Sequence, residues 1–309
     1  MTSSSRLRFP PLLLLVTMAA AQTSNPPANT QKTNPPSDAR NTTQQPPLPQ
    51  ESITNPKGKH MPAPKTKEEY DQYMAVANAP SPAAAEDLAH QFEVKFPKSE
   101  LLPIAYQQVM NKYQKADNGD KTLDMGRKVL KYDPDNVFAL SMNATVLAER
   151  TRQTDIDRDP RLQEATSDAQ RALENIRTGN YVLAPSVTLE QVEQFKEQIT
   201  SMAYQALGKA EMERENYAAA EQDLRRATEG PVGKGDAIVW YRLALALDHQ
   251  NKYAEANAAI TTAIALAPAD SPVAKMARNE QARLKQLGAS GAAPTPQSSQ
   301  PQPEVVKPK

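Results

Sequence analysis

Between residues 67 and 288, apolar side chains recur three and four positions apart, with polar residues filling the intervals. That period is one face of an α-helix, so the stretch is expected to be helix after helix. The clearest stripe is Trp240, Leu243, Ala244 and Leu247, followed by Ala256, Ile260 and Ala263, with Pro268 ending the second run. Offset by 36 residues, Tyr204, Leu207 and Gly208 precede Ala220, Leu224 and Ala227. Asn216-Tyr217 answers Lys252-Tyr253 at the same offset. Each unit reads as a helical hairpin in which small residues sit where helices cross closely and large ones fill the gaps. Proline cannot continue a helix interior, which sets the end of each unit.

The pattern of an aromatic, a Leu-Gly or Leu-Ala pair, an Ala-x3-apolar-x2-Ala step and a closing proline resembles the tetratricopeptide repeat (TPR). The resemblance implies an all-α, TPR-like helical-hairpin solenoid that binds other proteins. The best copies are residues 201–235 and 237–270. In the earlier one Glu211 replaces the expected second aromatic, Pro231 falls one residue early, and glycines 230, 233 and 235 lengthen the connection. As the head of the best copy, Trp240 is expected to be buried.

Upstream copies are more degenerate. Tyr106, Val109, Met110 and Tyr113 precede Val129 and Pro134, but Gly126 stands where a large apolar residue belongs. Leu140, Ala144 and Leu147 are followed nine residues late by Ala165, Ala169 and Ala172. The first copy joins Tyr70, Tyr73 and Met74 to Ala85, Ala89, Phe92 and Pro97. The Phe-Pro-Lys-Ser turn at 96–99 resembles turns in bacterial envelope TPR proteins. Ser81-Pro82, Asp159-Pro160 and Ser271-Pro272 each pair an N-cap residue with a proline suited to the first helical position. Thr188-x-x-Gln191 predicts a capping box at the start of a long helix reaching Glu213, with Leu189, Val192, Ile199 and Met202 on one stripe. A last helix over 272–287 is expected to cap the stack and end at Gly288.

Composition changes the picture at the two ends. Of 27 prolines in the 309 residues, most fall within residues 26–64 and 294–308. Residues 22–66 and 289–309 lack the apolar groups to offset ordering entropy and are expected to be disordered. Residues 1–21 read as a signal peptide, with Arg6 and Arg8 before an apolar core from Leu12 to Val16 and small residues at Ala19–Ala21. That core is shorter than the roughly 20 residues of a membrane span. The expectation is an exported protein, periplasmic or secreted, cleaved near Gln22 and without a membrane span thereafter; an uncleaved anchor is the alternative. Formal net charge is zero, which gives no bulk attraction to nucleic acid. The absence of cysteine excludes disulfides, thiolate metal sites and a lipidated N-terminal cysteine.

Candidate chemistry is sparse. Asp155-x-Asp157-x-Asp159 opens like a calcium loop, but Pro160 takes the place of the essential glycine and Thr166 that of the closing glutamate. The Gly230–Gly235 stretch lacks the spacing of a phosphate loop. His60, His90 and His249 have no neighbour at metal-ligand spacing. No catalytic, cofactor or metal residues are assigned, and no enzyme is expected. The resemblance places partner-facing residues on the inner side of the first helix of each hairpin: Gln107 and Asn111, Gln205 and Lys209, then Tyr241, Arg242, Leu245 and Asp248. The function expected is a scaffold that binds a protein or peptide in a bacterial cell envelope. Rival readings are a structural part of an outer-membrane assembly or secretion complex, and an enzyme or carbohydrate-binding helical protein.

Overall fold

The computed structural model describes residues 60–183 and 187–289. The expected leader, residues 22–59 of the expected linker and residues 290–309 of the tail lie outside the described residues. Among those described the chain is all-α, with twelve helices and no strand. Five antiparallel hairpins follow one another. They pair α1 (Lys67–Ala77) with α2 (Pro82–Lys95), α3 (Leu102–Lys115) with α4 (Gly119–Tyr132) and α5 (Val137–Arg150) with α6 (Arg158–Thr178). The last two pair α7 (Leu189–Glu213) with α8 (Tyr217–Ala227) and α10 (Ala237–Asp248) with α11 (Tyr253–Leu266). A single turn, α9 (Pro231–Lys234), sits before α10, and α12 (Pro272–Ala289) covers the end of the stack.

Packing sets the curvature. Each second helix packs back onto the first helix of the next hairpin: α2 on α3, α4 on α5, α6 on α7 and α8 on α10. First helices also touch each other, α1 with α3, α5 with α7 and, more lightly, α7 with α10. The first helices therefore lie along the inner side of a solenoid, and the second helices lie outside it.

The repeat register is written in the backbone. Asp117, Glu215 and Asn251 have φ of 56°, 60° and 61°, and each stands eleven residues after Tyr106, Tyr204 or Trp240. At each of these turns the next amide bonds the carbonyl five positions back: Asn118 to Tyr113 at 3.0 Å, Asn216 to Glu211 at 2.9 Å, Lys252 to Leu247 at 3.0 Å. This is the Schellman closure, which satisfies carbonyls left open at a helix C-terminus. Helix starts are set by side chains that accept orphan amides, as at Thr66, Ser81, Asn118 and Asn136. Thr188 and Gln191 form the full capping box at the head of α7.

One core runs from Tyr73 to Ala210 and a second from Ala220 to Leu284, with Tyr204 packed against both. Phe92, Tyr106, Leu140, Leu162, Leu224, Leu243 and Leu247 are fully buried. Each side chain of that size contributes about 1.5–3 kcal/mol through burial. On the outside, polar ties join the second helices to the core. Glu93 of α2 accepts from the hydroxyls of Tyr106 and Tyr132 and from Lys128 at 3.1 Å and Lys131 at 2.8 Å. Burial raises the Glu93 carboxyl, but the four hydrogen bonds outweigh it and hold the group well below the usual carboxylate range. One heptad away, Glu86 accepts from Tyr113 and Lys121 at 2.5 and 2.7 Å in the same manner.

Several expectations are corrected. Trp240 is only half-buried; Val239 beside it is fully enclosed, and the indole N–H donates to the Lys234 carbonyl at 3.0 Å. The extra turn α9 supplies that acceptor, which holds the ring at the edge of the core. Gly126 is no packing defect. A Cβ there would lie 1.9 Å from Oδ1 of Asn143, so the glycine admits the Asn143 side chain of α5 where a large residue of α4 was expected. Leu189 is 64% exposed although Val192, Ile199 and Met202 of its stripe are buried. Helix α6 starts at Arg158 with Asp157 as its cap, two residues before the expected cap Asp159. Pro160 is tolerated there because first-turn amides need no intrahelical partner. Helix α12 runs through Gly288 to Ala289, since glycine weakens a helix without ending it. In the Phe-Pro-Lys-Ser turn, Ser99 donates to the buried Glu69 of α1 and accepts from the Leu101 amide at 3.0 Å. The turn thus locks the first two hairpins together.

Candidate functional site

The inner side is built by α1, α3, α5, α7 and α10, and it changes character along the stack. On α3, Gln107 and Asn111 are half-buried, and Gln107 accepts from Asn136 at 3.4 Å. On α5 the corresponding surface is closed: Phe138, Ser141, Met142 and Thr145 are all buried. On α7, Gln205 is buried and donates to Ser201 at 3.2 Å, while Lys209 forms an ion pair with Glu213 one turn along its own helix. On α10, Tyr241, Arg242, Leu245 and Asp248 are half-buried.

Charges on this side are largely matched within the chain. Arg242 pairs with Glu149 of α5 at 2.5 Å, and their side chains are 11% and 19% exposed. The pair reaches from the fifth hairpin to the third, past α7. Asp248 is bound by Arg283 of α12. Burial pushes the Tyr241 hydroxyl up, and the negative charge of Glu280 on α12 adds to that shift. The eight sequence-derived residues therefore do not meet in one continuous cluster. Gln107 and Asn111 lie on α3, before the Glu149–Arg242 bridge in the stack; Tyr241 and Asp248 lie beyond it on α10, near Glu280 and Arg283 of α12.

Two features escape sequence reasoning. Glu149 and Arg283, the partners of Arg242 and Asp248, stand far away in the chain and leave no spacing signal. The second feature is a small cavity between α3, the start of α5 and the segment before α7, bordered by Gln107, Asp133, Asn136, Phe138, Tyr181 and Phe195. The three acidic residues of the calcium-like stretch do not converge. Asp155 accepts from the Arg152 amide at 2.8 Å, Asp157 faces Arg161 at 3.7 Å and Asp159 faces Arg158 at 2.8 Å. Among the described residues no three potential metal-ligating side chains gather, and no helix is long and apolar enough to cross a membrane.

The tetratricopeptide repeat family model matches residues 237–270, which are α10, α11 and the turns that bound them. Residues 237–270 thus carry a tetratricopeptide repeat, and the hairpin stack with its recurring Schellman turns is a helical-repeat solenoid consistent with it. A solenoid of this class is a scaffold for protein–protein interaction. No curated protein matches the chain.

Proposed function

We propose that this chain is an exported scaffold of a bacterial cell envelope that holds a partner polypeptide along its inner side and carries out no chemistry of its own. The observation that supports the binding reading is the surface of the first helix α10, where Tyr241 and Leu245 are half-buried. Half-exposed aromatic and aliphatic groups beside fixed charges are the anchors from which interfaces draw most of their energy. Gln107 and Asn111 on α3 extend the same side with amides that can both donate and accept. Export rests on Arg6, Arg8, the Leu12–Val16 core and Ala19–Ala21 in the sequence.

Replacing both Tyr241 and Leu245 with alanine in the full chain tests the binding reading, because neither side chain belongs to the Glu149–Arg242 pair. Partner capture is expected to fall at least tenfold while the helical circular dichroism signal is kept. Undiminished capture would remove α10 from the interface. N-terminal sequencing of the protein recovered from its host tests export, with a start near Gln22 expected and an intact Met1 in the membrane fraction contradicting it.

A further inference from the structure

The cavity beside Gln107 occurs at a break in the stack. First helices touch at other steps, but α3 and α5 do not pack closely on one another. The gap between them is bordered by Tyr181 and Val182, after α6, and by Phe195 in the first turns of α7, all extra to the repeat pattern. Tyr181 and Phe195 come from those two pieces, with ring centroids 6.0 Å apart and planes inclined at 59°. Phe138 of α5 supplies the third aromatic wall. Tyr181 and Phe138 are buried and Phe195 is half-buried.

The polar end of the cavity is acidic. Asp133 is half-buried; among the described residues it makes no ion pair, and its carboxylate accepts only from the neutral amide of Asn136, at 3.1 Å. Asp135, also at the rim, is bonded to Asn175 at 3.4 Å. Nearby cations are already committed. Arg171 donates to the Pro134 carbonyl at 2.6 Å and faces Asp168, and Lys196 is held by both oxygens of Glu193 at 2.8 and 3.0 Å. The cavity measures about 70 Å³. That is below half of the ~150 Å³ of an apolar cavity that admits a benzene ring, and far below the ~300–1,000 Å³ of a cofactor site. It suits one small planar head group, and Gln107 of the first helix α3 is part of its border.

We propose that this cavity receives the guanidinium of an arginine side chain from the bound polypeptide, set against the aromatic walls and hydrogen-bonded to Asp133. The proposal rests on the reading that the inner side holds a polypeptide, and it names one chemical requirement of that partner. A guanidinium is planar, weakly hydrated and stacks on aromatic faces, and its fork of N–H donors matches a carboxylate. An ammonium has neither the plane nor the fork, so arginine is chosen over lysine. The Gln107 amide oxygen, which takes one long bond of 3.4 Å from Asn136, offers an acceptor to the remaining N–H groups.

The test titrates the full chain, labelled with nitrogen-15, with arginine blocked at both termini, and compares blocked citrulline and blocked lysine. Saturable amide shifts are expected at Gln107, Asn136, Tyr181 and Phe195, with citrulline and lysine each at least tenfold weaker. Asp133→Asn keeps the oxygen that meets Asn136 and is expected to weaken arginine binding at least fivefold with an otherwise unchanged spectrum. Absence of saturable shifts at those amides, equal binding of citrulline or lysine, or undiminished binding by Asp133→Asn would each overturn the proposal. So would full partner capture by Asp133→Asn in a chain whose capture depends on Tyr241 and Leu245. Loss of that dependence would instead strike the inner-side reading and leave the titration result standing.

Discussion

Arg242 and Glu149 form an ion pair at 2.5 Å between α10 and α5, helices that belong to hairpins two apart. Neighbour-only packing is the rule in solenoids, where stability is close to a sum of repeat and nearest-interface terms. A contact that skips a repeat couples the ends of that stretch. Both side chains are mostly shielded from water, so removing one leaves a poorly solvated charge behind. Arg242→Ala is expected to cost about 2–4 kcal/mol. Glu149→Gln together with Arg242→Met is expected to cost less than the two single changes added together. A double-mutant cycle by urea denaturation reads the coupling, expected at about 1–3 kcal/mol. Additive effects would mean that the bridge contributes nothing across the skipped repeat.

Gly126 and Asn143 exchange volume between α4 and α5. A methyl group on Gly126 would be only 1.9 Å from the Asn143 amide oxygen, and both polar atoms of Asn143 are buried without a well-formed hydrogen bond. Gly126→Ala is expected to destabilise by about 1–3 kcal/mol, as overpacked cores do. Adding Asn143→Ala to that variant is expected to recover part of the loss by opening the space. Thermal melts of the three variants decide it; an unchanged Tm for Gly126→Ala would contradict the close approach.

Asp168 of α6 makes stability depend on pH. Burial pushes its carboxyl up to about 6, Glu164 adds to the rise, and Arg171, the Asn143 amide and Arg127 offset only part of it. A raised carboxyl binds its proton more tightly in the folded chain than in the unfolded one. Its charged form is therefore a cost that is absent below about pH 4 and grows until pH passes about 6. At full ionisation that cost is about 2–3 kcal/mol. Asp168→Asn is expected to raise the Tm at pH 7.5 and to leave it nearly unchanged at pH 4. Asp223, also raised to about 6 by burial and by Glu211, leaves a slope of the same sign in the same window in that variant. Glu93 acts in the opposite direction: its depressed carboxyl contributes stability that is lost as pH falls below the ordinary carboxylate range. An equal Tm gain at both pH values would show that Asp168 does not ionise as stated.

Much of the fold was legible because local rules repeat. The leading aromatics at 106, 204 and 240 fixed the register, and the left-handed turns at Asp117, Glu215 and Asn251 fall at one position in it. Thr188, Ser81 and Ser271 cap helices as their side chains dictate. What was missed lies in pairs distant in the chain. Trp240 could not be placed at the edge of the core without knowing that α9 would offer it the Lys234 carbonyl. Gly126 reads as a gap until Asn143 is seen filling it. The inner side was located by resemblance, but the matching of Arg242 by Glu149 and of Asp248 by Arg283 reduces what a ligand finds there. Tyr181 and Phe195 gave no repeat signal because the segment that carries them is extra to the repeats.

The inner side of the stack, and not its outer side, is expected to hold the partner polypeptide. A photo-crosslinking residue placed singly at Asn111, Tyr241 and Leu245 on the first helices, and at the exposed Asp124 and Gln222 on the second helices, tests it in the native host. Adducts to the same polypeptide are expected from the first-helix positions and none from Asp124 or Gln222. Adducts from Asp124 or Gln222 with none from the first-helix positions would contradict it.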